Sequence, residues 1–242
     1  MYSGANNHKT IVSRDALLHC MVFGEAEGDA LLFLHGNSEE LDIFDSQIDY
    51  FSKSYRVVAI DTRGHGQSTR GTEPFTFDTF ARDLFAVMDA LGIEKAHLVG
   101  FSDGAIAALH AAIMHSERIL SMVLLGANYN PRGLTWIPFI SIRLVYAWLW
   151  VASLFVKSRR LQREIWGLMV YQPNLTIEEI GRIRVPALVI TGENDMVSQR
   201  QNDGICRAIA GSKRLVVPGG DHFWMFKQPD VLNNTIMDFL NK

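Results

Sequence analysis

The sequence predicts an α/β protein built on a mostly parallel sheet with helices covering both faces. Short β-branched and leucine-rich runs alternate with helix-like segments along most of the chain. Those runs are largely continuous in apolar residues, as strands buried on both faces are, and each ends in glycine or another turn residue. A chain of 242 residues, 48% hydrophobic and 20% charged, also has enough apolar side chains for one sizeable core.

The elements follow in order. "ALLHCMVF" and "ALLFLHG", separated by the turn-like "GEAEGD", read as a strand hairpin. "RVVAIDTRG", "KAHLVGFS", "SMVLLGAN", "VPALVITG" and "RLVVPGG" read as buried strands. In "FDTFARDLFAVMDALG", Phe77, Phe80, Leu84, Val87, Met88 and Leu91 recur at helical spacing; Arg82, Asp83 and Asp89 fall to the other face, and Gly92 stops the helix. Between "GAN" at 126–128 and "VPALVITG" at 185–192 no convincing strand occurs, so this stretch is expected to be a helical insertion over the strand ends. The expected organisation is a core of residues 1–128 and 181–242 with a helical cap at 129–180. No internal repeat or low-complexity tract interrupts it.

Composition narrows the function. A net charge of −3 and basic residues scattered apart from one short cluster give no general attraction to nucleic acid. Cys20 and Cys206 stand far apart in no metal-like spacing, as expected of free thiols in a reducing compartment. "MYSGANNHKT" has no apolar stretch of the kind a secretory signal carries, and a cytoplasmic chain is expected.

The chemistry centres on "LVGFSDGAIAA", where Ser102 stands between Gly100 and Gly104 at a strand-to-helix junction. A serine that attacks a carbonyl must sit on a turn too sharp for side chains on either side, which the glycines permit. The hydroxyl needs a base, and the base needs an orienting carboxylate. His222 in "PGGDHFW" and Asp195 in "TGENDMV" each follow a strand-like run, giving the chain order serine, aspartate, histidine found with such elbows. A surface pair of Asp221 with His222 is the competing reading. The glycine turn in "LFLHGNSEE" brings the Asn37 N–H to the same edge, where with the Asp103 N–H it would bind an oxyanion. Asp103, Phe101 and Trp224 are candidate substrate contacts. An Asp103 carboxylate facing the acyl pocket would favour an amino group near the scissile carbonyl; alternatively it serves the helix dipole alone. Asp61, Arg63 and His65 of "DTRGHGQS" are expected to brace the strand ends, and His35 to be a turn histidine. No HExxH or clustered Cys/His pattern occurs.

"HGN", "DTRGHGQS", "GFSDG", "GEND" and "GGDHF", in this order, resemble the α/β-hydrolase superfamily over nearly the whole chain. Within it the "GFSDG" elbow is most similar to serine esterases of the valacyclovir-hydrolase type. The resemblance implies an eight-stranded sheet, a cap after the sixth strand, no cofactor and no metal. It also implies Ser102, Asp195 and His222 as triad and the Asn37 and Asp103 N–H groups as oxyanion hole. Ala105 departs from relatives that carry a second glycine there.

The expected reaction is hydrolysis of an ester or related acyl bond of a small substrate, hydrophobic or amino-bearing. Thioester, lactone or carbon–carbon hydrolysis, perhydrolysis, and a non-catalytic receptor on the same scaffold remain alternatives. The last expectation concerns "LTWIPFISIRLVYAWLWVASLFV" at 134–156, which by length could span a membrane. A single crossing would separate Ser102 from Asp195 and His222, so no span is expected. Two cap helices, broken near Pro138 or within the tryptophan-rich run, would line a hydrophobic pocket. The expectation is a well-packed cap. Because Trp136, Trp148 and Trp150 cannot all face inward, the alternative is an apolar patch for a second copy or a lipid interface beside Lys157, Arg159 and Arg160.

Overall fold

A computed structural model describes residues 7–24 and 29–241. Residues 1–6, read above as lacking a signal, lie outside the described residues. The strands are His8–Ser13 (β1), Ala16–Phe23 (β2), Ala30–Leu34 (β3), Arg56–Ile60 (β4), Ala96–Phe101 (β5), Ile119–Leu125 (β6), Ala187–Gly192 (β7) and Lys213–Val217 (β8). The helices are Asp45–Phe51 (α1), Phe77–Ala90 (α2), Asp103–His115 (α3), Trp136–Phe155 (α4), Arg159–Tyr171 (α5), Ile177–Ile180 (α6), Gln199–Ala208 (α7), Trp224–Lys227 (α8) and Pro229–Leu240 (α9). The sheet has eight strands in the order β1-β2-β4-β3-β5-β6-β7-β8, antiparallel across β1, β2 and β4 and parallel from there on. This is the α/β-hydrolase arrangement that the motifs implied.

The predicted hairpin is corrected. β2 does not pair with β3, because β4 stands between them; the hairpin is instead β1 with β2. Residues 25–28 of the proposed turn "GEAEGD" lie outside the described residues. The polar, exposed "HKTIVS" carries little strand signal, and its partner "ALLHCMVF" is legible only as a strand, not as to its neighbour.

Alternate side chains of each strand enter opposite faces and build two cores. Leu32, Leu34, Leu98 and Leu124 pack with α2, α3 and α7; Phe33, Val99, Val123 and Ile190 pack with α1 and α9. α2 buries Phe77, Phe80, Leu84, Val87 and Met88, and Gly92 follows its end at φ +67°. Its Asp83, expected on the solvent side, is buried instead. Arg63 is fully buried and donates to Asp83 through Nε and Nη2 at 2.8 Å each, while Ser13 Oγ adds a bond of 2.6 Å. Arg63 also reaches Asp15 at 2.8 Å, so the loop after β4 is clamped to α2 and to the β1–β2 turn. Asp61 in the same loop accepts the N–H groups of Leu41 and Gln67 at 2.9 Å each, bracing the strand ends.

Between β6 and β7 the chain leaves the sheet. Pro138 is the third residue of α4, where no N–H is needed and no preceding turn exists to clash with the ring, so it does not break the helix. The tryptophan-rich run stays helical throughout, and the break falls at Val156–Ser158. α4 and α5 pack on one another over the strand ends. α6 belongs to the body, with Ile180 fully buried in the core beside Ile183 and Ile205.

Removing Asp83 strips the buried Arg63 of two charge-assisted hydrogen bonds and leaves it only the partly exposed Asp15 as counter-charge. Asp83→Ala is expected to lower unfolding stability by about 2–3 kcal/mol, measured by urea denaturation.

Candidate active site

The parallel register ranks five strand ends along one edge. Leu34 lies beside Gly100, Phe101 beside Leu125, Leu125 beside Ile190, and Gly192 beside Val217. The loops leaving these ends carry Asn37, Ser102, Gly126, Asp195 and His222.

Ser102 has φ +52° and ψ −114° and caps the N-terminus of α3, with its own N–H bonded to the Leu125 carbonyl at 2.8 Å. The turn closes because its flanking glycines have no side chain. A Cβ at Gly100 would overlap the Gly104 carbonyl and the Ala105 nitrogen, and one at Gly104 would overlap the Leu34 carbonyl. The hydroxyl then faces His222, with Nε2 3.1 Å from Oγ. His222 Nδ1 lies 2.7 Å from Asp195 Oδ1, which also accepts the Val197 N–H at 2.9 Å. Both the histidine and the aspartate are buried. Asp221, the competing partner, turns outward to Lys227 and the Phe223 N–H.

Two further glycines make room. Gly126 has φ +63°, and a Cβ there would stand 2.7 Å from His222 Cε1. A Cβ at Gly192 would lie 2.5 Å from the Asp221 carbonyl oxygen, so the loops of Asp195 and His222 can approach only across a glycine. Their position just past a strand is a signal that sequence inspection could have used.

Asp103 is the first residue of α3, so its N–H has no intrahelical acceptor. The Asn37 N–H has no backbone acceptor among the described residues. The Asn37 side chain, not anticipated, donates to Asp103 Oδ2 at 2.9 Å and to the Ile165 carbonyl of α5 at 2.8 Å. Burial pushes the Asp103 carboxyl up to about 6, against the pull of the Asn37 hydrogen bond and of a charged His222. Burial likewise raises Glu39 to about 7, although its Oε2 accepts the Gly36 N–H at 2.9 Å.

A cavity of about 20 Å³ lies at Ser102, lined by Asp103, Ile106, Leu134, Met169, Gln172 and His222 among others. It is about the size that holds one water. Asp103 therefore borders the site, whereas the other two proposed substrate contacts do not. Phe101 is buried with its ring 4.9 Å from that of His222, supporting the imidazole from the core side. Trp224 is buried among Val217, Leu232 and Ile236. Both were read from proximity in sequence, but Phe101, the last residue of β5, points to the face opposite its neighbour, and Trp224 opens α8 and turns into the core beneath the loop. Of the apolar run only its first residue, Leu134, lines the cavity, joined from the insertion by Met169 and Gln172; the helix α4 gives no side chain to it, so the pocket expected along the run's inner face is corrected. Met169 and Gln172 carry no sequence signal. A larger cleft of about 640 Å³ runs between Glu39, His65 and Trp166, with neither Ser102 nor His222 in its walls.

His35 is a turn histidine: Nδ1 bonds the Gly36 carbonyl at 2.8 Å, Nε2 accepts the Thr62 N–H at 2.9 Å, and burial lowers it to about 3, so it stays neutral. Among the described residues no three His, Cys, Asp or Glu side chains converge as a metal site.

Comparison with known proteins agrees with this architecture. The family model described as the alpha/beta hydrolase fold matches residues 29–154. The chain belongs to the α/β-hydrolase family. Human serine hydrolase BPHL is 30% identical to this hydrolase over 92% of the chain and 82% of the human protein. The 3-oxoadipate enol-lactonase 2 of Acinetobacter baylyi is 33% identical over 47% of the chain and 43% of its own length. Among solved structures, the enol-lactonase of Burkholderia xenovorans LB400 superposes on the hydrolase with a TM-score of 0.80 at 22% identity, covering 97% of this chain and all of that one. The meta-cleavage product hydrolase of Pseudomonas fluorescens IP01 gives 0.76 at 26% identity, covering 96% and 97%.

Gly126→Ala is expected to push the imidazole off its line to Ser102, lowering kcat about 100-fold while costing about 1–2 kcal/mol for the left-handed backbone. Steady-state kinetics with a chromogenic ester and a urea melt separate the two effects.

Proposed function

We propose that this hydrolase cleaves an ester of a small molecule through an acyl-enzyme on Ser102. The observation that carries the reading is the unbroken contact from Ser102 Oγ to His222 Nε2 at 3.1 Å and from Nδ1 to Asp195 at 2.7 Å. In the attack His222 takes the serine proton as the oxygen adds to the carbonyl, then gives it to the departing alcohol. Asp195 holds the ring in the tautomer whose Nε2 is free and offsets the imidazolium charge. The Asn37 and Asp103 N–H groups would receive the negative oxygen, and because both belong to rigid strand-end turns they need not reorganise. Water then repeats the attack on the acyl-enzyme with His222 again as base. His222 must enter neutral to act as the base.

The acyl group has to enter beside Asp103, which favours a substrate with an amino group near the scissile carbonyl. A lactone is an ester closed on itself, and the enol-lactonases among the relatives make it the second class to assay.

Ser102→Ala is expected to lower kcat/KM on short p-nitrophenyl esters by at least roughly 10⁴-fold and to abolish labelling by a fluorophosphonate, with the fold unchanged by circular dichroism. Wild-type turnover in that variant would sink the proposal. Asp103→Asn is expected to lower the preference for aminoacyl over plain acyl esters of one alcohol by about 10-fold or more. The same variant tests the raised carboxyl. A folded-state value near 6, above the ordinary 3.8, means stability present at low pH and lost as pH rises through about 6. The melting temperature of Asp103→Asn relative to wild type should therefore climb between about pH 4 and pH 7.

A further inference from the structure

α4 is 20 residues long, about 30 Å at helical rise, and its outer side is bare. Ile142, Leu149 and Ser153 face inward and are buried. On the opposite face Ile137, Ile140, Leu144, Trp148, Val151 and Phe155 recur every three or four residues, and all six are exposed, Phe155 by 82% and Ile137 by 77%. Trp136 at the start of the helix is 76% exposed. The well-packed cap expected from the sequence is thus corrected, and an apolar stripe without a single charged residue faces outward. A contiguous apolar stripe of this length marks an interaction surface.

Charge indicates what covers it. The whole chain has a net charge of −3, yet residues 129–172 hold six basic side chains, Arg132, Arg143, Lys157, Arg159, Arg160 and Arg163, against Glu164 alone. Lys157, Arg159 and Arg160 follow directly on the C-terminus of α4, and the Arg159 guanidinium sits 5.4 Å over the Trp148 ring. An apolar face carrying indoles and flanked by lysine and arginine matches the layered chemistry of a bilayer surface: acyl chains below, anionic headgroups beside. We propose that α4 docks this hydrolase on anionic lipid, lying in the plane of the membrane interface with its outer stripe inserted and the basic cluster among the headgroups. The helix does not cross. It belongs to an excursion between β6 and β7, which are hydrogen-bonded neighbours in one sheet, and the return helix α5 is polar on its outer side.

Flotation of the full chain with phosphatidylcholine vesicles, with and without phosphatidylserine, tests this. The wild type should float with the anionic vesicles, bind pure phosphatidylcholine far less and be released by salt. Lys157→Gln/Arg159→Gln/Arg160→Gln should lower the partition roughly 100-fold, about five-fold per residue. Leu144→Glu/Val151→Glu should abolish flotation while kcat/KM on a soluble ester and the circular dichroism spectrum stay unchanged. Should that double variant fold poorly, the basic variant, altered only outside α4, still decides. Equal binding to both vesicle types, or failure to float with either, would overturn the proposal. So would a wild-type dimer in sedimentation that ignores vesicles and that Leu144→Glu/Val151→Glu returns to monomer, since the stripe would then belong to a second copy.

Discussion

The backbone of Ser102, at φ +52° and ψ −114°, lies where an L-residue costs of order 1–3 kcal/mol, and the rest of the site depends on that turn. It is held by β5, paired on both sides in a parallel sheet, and by α3, whose first turn starts at the next residue. Neither can relax without tearing the other from the core. Gly100 and Gly104 let the strand, the helix and the Leu34–His35 backbone meet within contact distance. The strain thereby raises the hydroxyl clear of the sheet and leaves the Asp103 N–H pointing beside it.

Asp195 and His222 are then brought in by strands whose positions the sheet has already set. β7 and β8 end next to one another, and the Asn194 N–H bonds the Gly220 carbonyl at 2.7 Å, so the two loops move as one piece. The insertion is rooted in the same piece. Thr135 N–H donates to Met196 O at 2.8 Å, Ser198 N–H to Gly133 O at 2.9 Å, and Leu134 bridges Val197. On the far side Asn37 bonds α5, and Arg70 reaches Glu164 at 2.8 Å. The roof over Ser102 is therefore tied both to the loop of Asp195 and to the loop of Asn37. Its tight closure explains why Asp103 is desolvated enough to titrate far above an ordinary aspartate.

Similar apolar composition serves opposite ends in two parts of the chain. In β3 and β7 every residue is buried because helices cover both faces. α4 packs on α5, and only the narrow stripe of Ile142, Leu149 and Ser153 is buried. Continuous hydrophobicity identifies a segment that wants covering; the cover itself depends on the number of neighbours the topology supplies.

Much of this was legible in the sequence because it rests on local rules. Parallel strands announce themselves as apolar runs ending in turns, α2 by its period and by Gly92, and the elbow by glycines that no other residue can replace. The order of Ser102, Asp195 and His222 at three strand ends is a one-dimensional trace of the sheet's edge. Strand neighbours are not local: β2 lies beside β4, a choice made by long-range packing that no turn residue encodes. Side-chain direction escaped for the same reason. Phe101 and Trp224 lie close to Ser102 and His222 in sequence but enter the core, while Met169 and Gln172, distant in sequence, close over the serine. Asp83 looked like a solvent-facing acid until Arg63, twenty residues away, was folded against it. The sequence by itself determined the class of fold and the chemical groups at its edge. Tertiary structure alone decided which of them meet, because that depends on the stacking order of strands and on which face of each element finds a neighbour.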